Sequence, residues 1–357
     1  MVELLGELVG MESPSADLPS LDRLADRLAE VVAAHLGSPP ERLTSGGRPH
    51  LRWSAGADCR VLVLGHFDTV WPLGTIERWP FLLAGDRATG PGAFDMKAGI
   101  VQGLAALSTL DDLDGITVLL TSDEEVGSPT SRALIEKAAT GAGAALVLEP
   151  SAAGALKTER KGTSNYELHV EGRAAHAGLE PERGVNALLE LAGQVLALHE
   201  LADPSAGTTV TPTVASAGTT TNSVPARACA AVDVRTTTVA EQERVDTAMR
   251  SLRAGLDGAR VSVTGGPNRP PLQRSASSEL FGRAVRRAEA LGLGTLDGVA
   301  VGGGSDGNFT AALGTPTLDG LGADGDGAHA EGEHVVVSAM AERAALFAAL
   351  VEELKTA

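Results

Sequence analysis

Val61-Leu62-Val63-Leu64-Gly65-His66-Phe67-Asp68-Thr69 decides how this chain is read. Four consecutive branched apolar residues with no polar alternation are the pattern of a strand buried on both faces of a parallel sheet. The run ends in an imidazole and, two residues on, a carboxylate. The arrangement recurs where Ile116 to Thr121 runs into Asp123-Glu124-Glu125, and where Leu146-Val147-Leu148 runs into Glu149-Pro150. In open α/β sheets ligands bind at the carboxyl ends of strands, so three strand ends of this kind point to one site. Two other stretches can add to it: Gly90-Pro91-Gly92-Ala93-Phe94-Asp95-Met96-Lys97, which opens a helix, and Gly327-Ala328-His329-Ala330-Glu331.

One residue from each motif is a candidate metal ligand: His66, Asp95, Glu125, Glu149 and His329. Imidazole and carboxylate together suit zinc or a similar divalent ion, and cobalt or manganese would accept the same set. Two ions about 3.5–4 Å apart need a bridging carboxylate between them. Asp95 is the natural bridge, with His66 and Glu149 completing one ion and Glu125 and His329 the other. Asp68 is close enough to accept the second ring N–H of His66, which would fix the tautomer. Glu124 beside Glu125 is a candidate general base. The residues alone leave the order of these two open, because exchanging their roles would preserve the site.

Composition bounds the possible partners. The 357 residues are 43% hydrophobic, enough for two domains with cores. A net charge of −17 argues against nucleic acid, since phosphate binding needs basic patches. An anionic substrate would depend on local arginines. Cys59 and Cys229 lie far apart in no metal-binding spacing and read as free thiols in a reducing compartment. No basic segment leads an apolar run at the N-terminus, and no apolar stretch approaches membrane-spanning length. A soluble cytoplasmic protein without a membrane partner is expected.

Strands near 60–65, 116–121 and 144–149 alternate with helices over 96–110 and 131–139, with Ser128-Pro129 as a start signal for the second. That alternation predicts a mainly parallel sheet under helices. Residues 163–266 differ: a strand over 165–170, a helix over 185–201, strands near 208–214 and 226–235, a helix over 239–256 and a strand over 260–264. The order β-α-β-β-α-β is ferredoxin-like. It predicts an inserted α+β domain over 163–266 between catalytic segments 1–162 and 267–357. Helices over 277–291 and 336–354 close the chain.

These motifs resemble the aminoacylase and carboxypeptidase family of dinuclear zinc hydrolases, in particular its glutamate carboxypeptidase branch. The likeness rests on Gly65-His66-Phe67-Asp68-Thr69-Val70, Gly90 to Lys97, Asp123-Glu124-Glu125-Val126-Gly127-Ser128, Glu149-Pro150-Ser151 and Gly303-Gly304-Ser305-Asp306, and covers nearly the whole chain. It implies Glu124 as base and Glu125 as ligand, two zinc ions per subunit, and a cis peptide after Asp95. It also implies that the insertion is a lid and homodimerisation module. His176, in Gly172-Arg173-Ala174-Ala175-His176-Ala177-Gly178, reads on its own as a loop histidine. By resemblance it is the residue that reaches an active site across the dimer and steadies the oxyanion.

Asn222 and Arg235 match family positions that contact substrate carboxylates, and Arg269 aligns less securely. On their own, the arginines read as surface ion-pairing groups. Arginine grips carboxylates through paired hydrogen bonds. Ser305 and its preceding glycines are able to offer backbone N–H groups to a substrate. The expected function is a carboxypeptidase that uses a di-zinc-activated water to release a C-terminal amino acid, glutamate above others, from a peptide or N-acyl conjugate. An aminoacylase or a di- or tripeptidase shares every one of these motifs. A non-catalytic metal-binding dimeric scaffold is the reading of another class, disfavoured because every ligand and base position is filled.

Overall fold

The structure is a computed structural model that describes residues 1–356. The chain forms two compact units: the first comprises Met1–Glu159, Leu272–Val301 and the segment from Ser305 onward, the second Arg160–Pro271 with Gly302–Gly304.

The first unit is built on a six-stranded sheet in the order Glu41–Ser45, Arg48–Ser54, Ile116–Thr121, Val61–His66, Ala144–Val147, Thr317–Leu318. The last four run parallel, and the first two add an antiparallel hairpin to one edge. Val61–His66 and Ile116–Thr121 are buried at every position, because both faces are covered. Val61, Val63, Val118 and Leu120 pack with Ile100, Leu104, Phe347 and Leu350 on one side. Leu62, Leu64 and Leu119 pack with Ile135, Ala139 and Phe309 on the other.

The edge hairpin was not among the expected strands. Its polar, half-exposed residues lack a continuous apolar run, and its signal is the Gly46-Gly47 turn, where both residues take positive φ as a two-residue hairpin loop requires. A second, small antiparallel sheet, also unforeseen, orders Gly325–Asp326, His334–Val336, Arg87–Thr89 and Leu82–Ala84. It converts the expected start of the last helix into a strand, so that helix spans Ala339–Lys355. The helix expected over 131–139 spans Arg132–Ala139, and it does not open at Ser128-Pro129. The Asp123 carboxylate accepts the backbone N–H groups of Thr130 and Ser131 and holds the preceding residues in a turn.

The second unit is a four-stranded antiparallel sheet in the order Thr209–Ala217, Arg227–Thr236, Gly162–Glu171, Arg260–Arg269. Helices Ala187–His199 and Val239–Ser251 complete the β-α-β-β-α-β order. Tyr166, Leu168, Val170, Val232 and Val234 form its core with Leu191, Leu198, Val245 and Met249. The last strand is longer than expected and carries Pro267 at a register shift, which an edge strand tolerates. Among the described residues no helix is long and apolar enough to cross a membrane.

Candidate metal centre

Each sequence-derived ligand occupies an element end in the first unit. His66 closes its strand; Glu149 lies just past Ala144–Val147; Glu125 sits in the single helical turn Glu124–Val126 that follows Ile116–Thr121. Asp95 lies at a kink with non-helical backbone (φ −112°, ψ 97°) inside the turn Ala93–Lys97 that leads into helix Ala98–Leu107. Its peptide bond to Met96 is cis, as the resemblance implies. His329 is in the loop between Gly325–Asp326 and His334–Val336, at a left-handed φ of 63°.

Two glycines set the depth of Glu149. A Cβ on Gly99 or Gly322 would lie 2.1 Å from the Leu148 carbonyl oxygen, so only glycine lets the helix and the returning chain close on this strand end. Gly322 N–H also donates to the Glu149 carbonyl at 2.9 Å.

The side chains converge on Asp95. His66 Nε2 lies 3.2 Å from Asp95 Oδ1 and 3.4 Å from Glu149 Oε1. His329 Nε2 lies 3.4 Å from Asp95 Oδ2 and 3.0 Å from Glu125 Oε2. Donor atoms of His66, Asp95 and Glu125 fall within 4.8 Å of one another, as do those of His66, Glu124 and Glu149. Asp95 Oδ1 is buried and makes no hydrogen bond despite its 3.2 Å approach to His66. A buried carboxylate oxygen aimed off the N–H axis suits a cation, and the donor set fits a divalent ion.

The charges give the same answer. Burial alone would pull the His66 imidazole down, but the neighbouring carboxylates of Asp68, Asp95 and Glu149 carry it well above its ordinary value. Bonds to Asp95 and Glu125 push His329 up to about 11. Burial raises the Asp95 carboxyl, yet His329 and His66 hold it far below the usual range. Burial pushes Glu125 up to about 7. Carboxylates and imidazoles thus crowd one largely buried point, a donor set that would hold a divalent cation.

Asp68 is fully buried, but its role is wider than expected. Its backbone carbonyl is the nearer acceptor for His66 Nδ1 at 3.1 Å, with carboxylate Oδ1 at 3.5 Å. The carboxylate accepts Ser15 Oγ–H at 2.7 Å and the backbone N–H groups of Glu124 and Glu125 at 3.2 and 3.3 Å. Ser305 does not offer its N–H to a substrate: it is buried, donating to Asn308 Oδ1 at 2.9 Å while its hydroxyl donates to Asp319.

Two supporting residues, His50 and Glu333, escaped the sequence reading, and a third, Asp306, was read only as part of the Gly303-Gly304-Ser305-Asp306 motif. His50 accepts Ser122 N–H at Nδ1 (3.3 Å) and faces Thr130 Oγ1 at Nε2 (3.1 Å). Asp306 accepts the hydroxyls of Thr121 and Ser128. Glu333 accepts backbone N–H groups from the Asp95 turn. Glu333 lies four residues beyond His329, a spacing that could have flagged it; His50 carries no comparable signal.

The remaining expected residues belong to the second unit. His176 is exposed and its Nδ1 accepts the N–H groups of Gly178 and Leu179, both at 3.1 Å. The neutral ring therefore carries its proton on Nε2. Asn222, also exposed, accepts Ala177 N–H at its carbonyl. Arg235 is held by Asp233 through two bonds of 2.8 Å. Buried Arg269 stands opposite Thr163, as Arg235 does from the other side, so the two arginines flank one residue across the sheet. Asn222 precedes the strand Arg227–Thr236 and Arg235 lies near its far end, so the two are not neighbours.

Residues 62–353 match the profile of peptidase family M20/M25/M40. The chain belongs to this family. It is 33% identical to carboxypeptidase G2 of Pseudomonas sp. strain RS-16, covering 99% of this chain and 89% of that protein. It is 28% identical to succinyl-diaminopimelate desuccinylase of Burkholderia vietnamiensis, covering 93% of each. The M20 family metallo-carboxypeptidase of Sulfolobus solfataricus shares its fold, with a TM-score of 0.81 at 19% identity over 100% of this chain and 99% of that one. The M20 chain is accordingly a metallohydrolase of peptide or acyl-amino-acid bonds.

Proposed function

We propose that this protein is a di-zinc carboxypeptidase that hydrolyses the amide bond to a C-terminal amino acid, with glutamate preferred. One observation carries the reading: Asp95 offers one carboxylate oxygen to each of two imidazoles, His66 and His329, and each imidazole has its own further carboxylate, Glu149 or Glu125. That is a bridge with two terminal pairs, the ligand pattern a two-ion site needs. Bound there, the ions would polarise the amide carbonyl and acidify a water at neutral pH.

Glu124 is buried beside His66 and Glu149, which supports it as the group that takes a proton from the attacking water and delivers it to the leaving nitrogen. Asp68 orients this base through its backbone. His176, with its proton on Nε2, presents a neutral donor suited to a developing oxyanion. Arg235, Arg269 and Asn222 are the groups for the substrate carboxylates; on Arg235 the incoming carboxylate competes with Asp233.

A homodimer through the second unit is supported by its outer strand Thr209–Ala217, which is an open edge, and by exposed Leu188, Leu189, Leu196 and Val214. Edges and apolar surface of this kind are ordinarily covered. Both cysteines are free, in keeping with a reducing cytoplasm.

The test is amino-acid release by the zinc-loaded protein from matched N-acyl-glutamate, N-acyl-alanine and N-acyl-leucine, with Glu124→Gln alongside. Preference for glutamate, lost in the variant, is expected. Equal rates on the three substrates would move the protein to the aminoacylase or dipeptidase reading, and no release would favour the scaffold.

A further inference from the structure

Glu333 is a fully buried carboxylate that ends the same loop that carries His329. It faces four N–H donors. Oε1 accepts Phe94 N–H at 2.7 Å and Asp95 N–H at 2.9 Å; Oε2 accepts Gly92 N–H at 3.1 Å and Trp71 Nε1–H at 2.9 Å. Three of the donors are backbone groups of the turn that holds the bridging carboxylate, 238 to 241 residues away in sequence. A carboxylate accepting several backbone N–H groups is a strong, charge-assisted anchor.

Otherwise the loop it terminates is tied to the fold at its ends, where Gly325 pairs with Val335 and Asp326 with His334, and by an exposed ion pair of Glu331 with Arg78. Gly327 turns it at φ 85°, and Ala330 N–H and Glu333 N–H close it internally. His329 itself is half exposed, in contrast to buried His66. We propose that Glu333 is a positioning residue: it clamps the His329 loop onto the Asp95 turn and so sets the geometry of the ion shared by Asp95, Glu125 and His329. This rests on the ligand assignment made above. A ligand on an exposed loop keeps its distance to the bridge only if the loop and the bridge share an anchor, and Glu333 is that anchor.

Glu333→Gln tests the clamp, because the new amide would turn its own N–H groups toward N–H donors. Zn2+ affinity is measured on the full chain by competition with a chromophoric chelator, alongside melting of the metal-free protein. The expected result is that the ion held by His329 and Glu125 binds about 10–100-fold more weakly, the range for lost outer partners of a ligand, with a smaller change at the other ion that shares Asp95. Activity should fall at limiting Zn2+ and return at high Zn2+, which a purely structural role would not produce. Trp71→Phe, which removes one donor and keeps the carboxylate, should shift the same ion in the same direction by less, and it decides the matter should Glu333→Gln not fold. Unchanged affinity for both ions in the folded variants, with only melting altered, overturns the proposal. A wild-type protein that binds fewer than two ions would instead refute the ligand assignment, and His329→Ala as comparator separates the two failures by removing that ion outright.

Discussion

The carboxylate of Asp68 accepts the backbone N–H of Glu124 at 3.2 Å. A residue expected to steer His66 thereby also fixes the turn that carries Glu124, the proposed base. Asp68→Asn would place an amide N–H against a backbone N–H and loosen both contacts. The expected outcome is a fall in kcat of about 10–100-fold with partial loss of metal affinity, measured by steady-state kinetics and metal titration of one preparation. A loss of kcat with full metal affinity would assign Asp68 to the base alone.

Glu124→Gln keeps size and a hydrogen-bonding group but removes the proton acceptor. General acid–base groups contribute about 10²–10⁴-fold, so kcat should fall by that order while two ions remain bound. Metal analysis of the purified variant checks the second half. Loss of an ion would mean that Glu124 is a ligand and that its role and that of Glu125 are exchanged.

Asp95 and His329 should differ in metal count. Asp95 faces both imidazoles, so Asp95→Asn is expected to lose both ions, whereas His329→Ala loses one. Because ligands that bind only the folded state stabilise it, chelation should lower the wild-type melting temperature and leave that of Asp95→Asn nearly unmoved. Equal metal content in the two variants would contradict the bridging role.

His176→Ala should lower kcat by about 10²–10³-fold, the usual cost of a lost oxyanion donor, with metal content intact. Mixing it with Glu124→Gln separates two geometries. If the histidine acts across a dimer, mixed dimers combine an intact base with the partner's histidine and activity returns. If it acts within its own subunit, the mixture stays inactive.

Burial holds the His50 imidazole below its ordinary value, against the raising effect of Asp123, Asp68 and Asp306. Both states are neutral above the unfolded value of about 6.5. As pH falls through that value the unfolded chain takes the proton first, so stability drops until the folded pKa is reached. His50→Gln should be less stable at neutral pH, yet its melting temperature should fall less steeply between about pH 7.5 and 5.5. Melting curves of the metal-loaded proteins measure this, and parallel slopes would remove His50 from the account.

Much of the site was legible because its chemistry lies at the ends of strands with an unmistakable pattern. Val61 to Leu64 is an uninterrupted apolar run and Ile116 to Leu120 is one but for Thr117, and only a sheet covered on both faces buries every residue of such runs. The alternation in the second unit was equally readable, since Tyr166, Leu168 and Val170 turn inward between polar neighbours. The hairpin at 41–54 and the small sheet through Arg87–Thr89 were not, because short, half-exposed strands have no distinctive period. The second bears on the centre because it places the His329 loop beside the Asp95 turn.

The sequence by itself determined the residue types of the centre and the strand ends that carry most of them, since an imidazole or carboxylate after a buried strand is written locally. Only the tertiary structure decided which oxygen of Asp95 meets which imidazole, that Asp68 serves Glu124 as well as His66, and that Glu333 binds a turn more than two hundred residues away. Such contacts join distant segments, and their geometry exists only once the backbone groups that they satisfy have been brought out of water together.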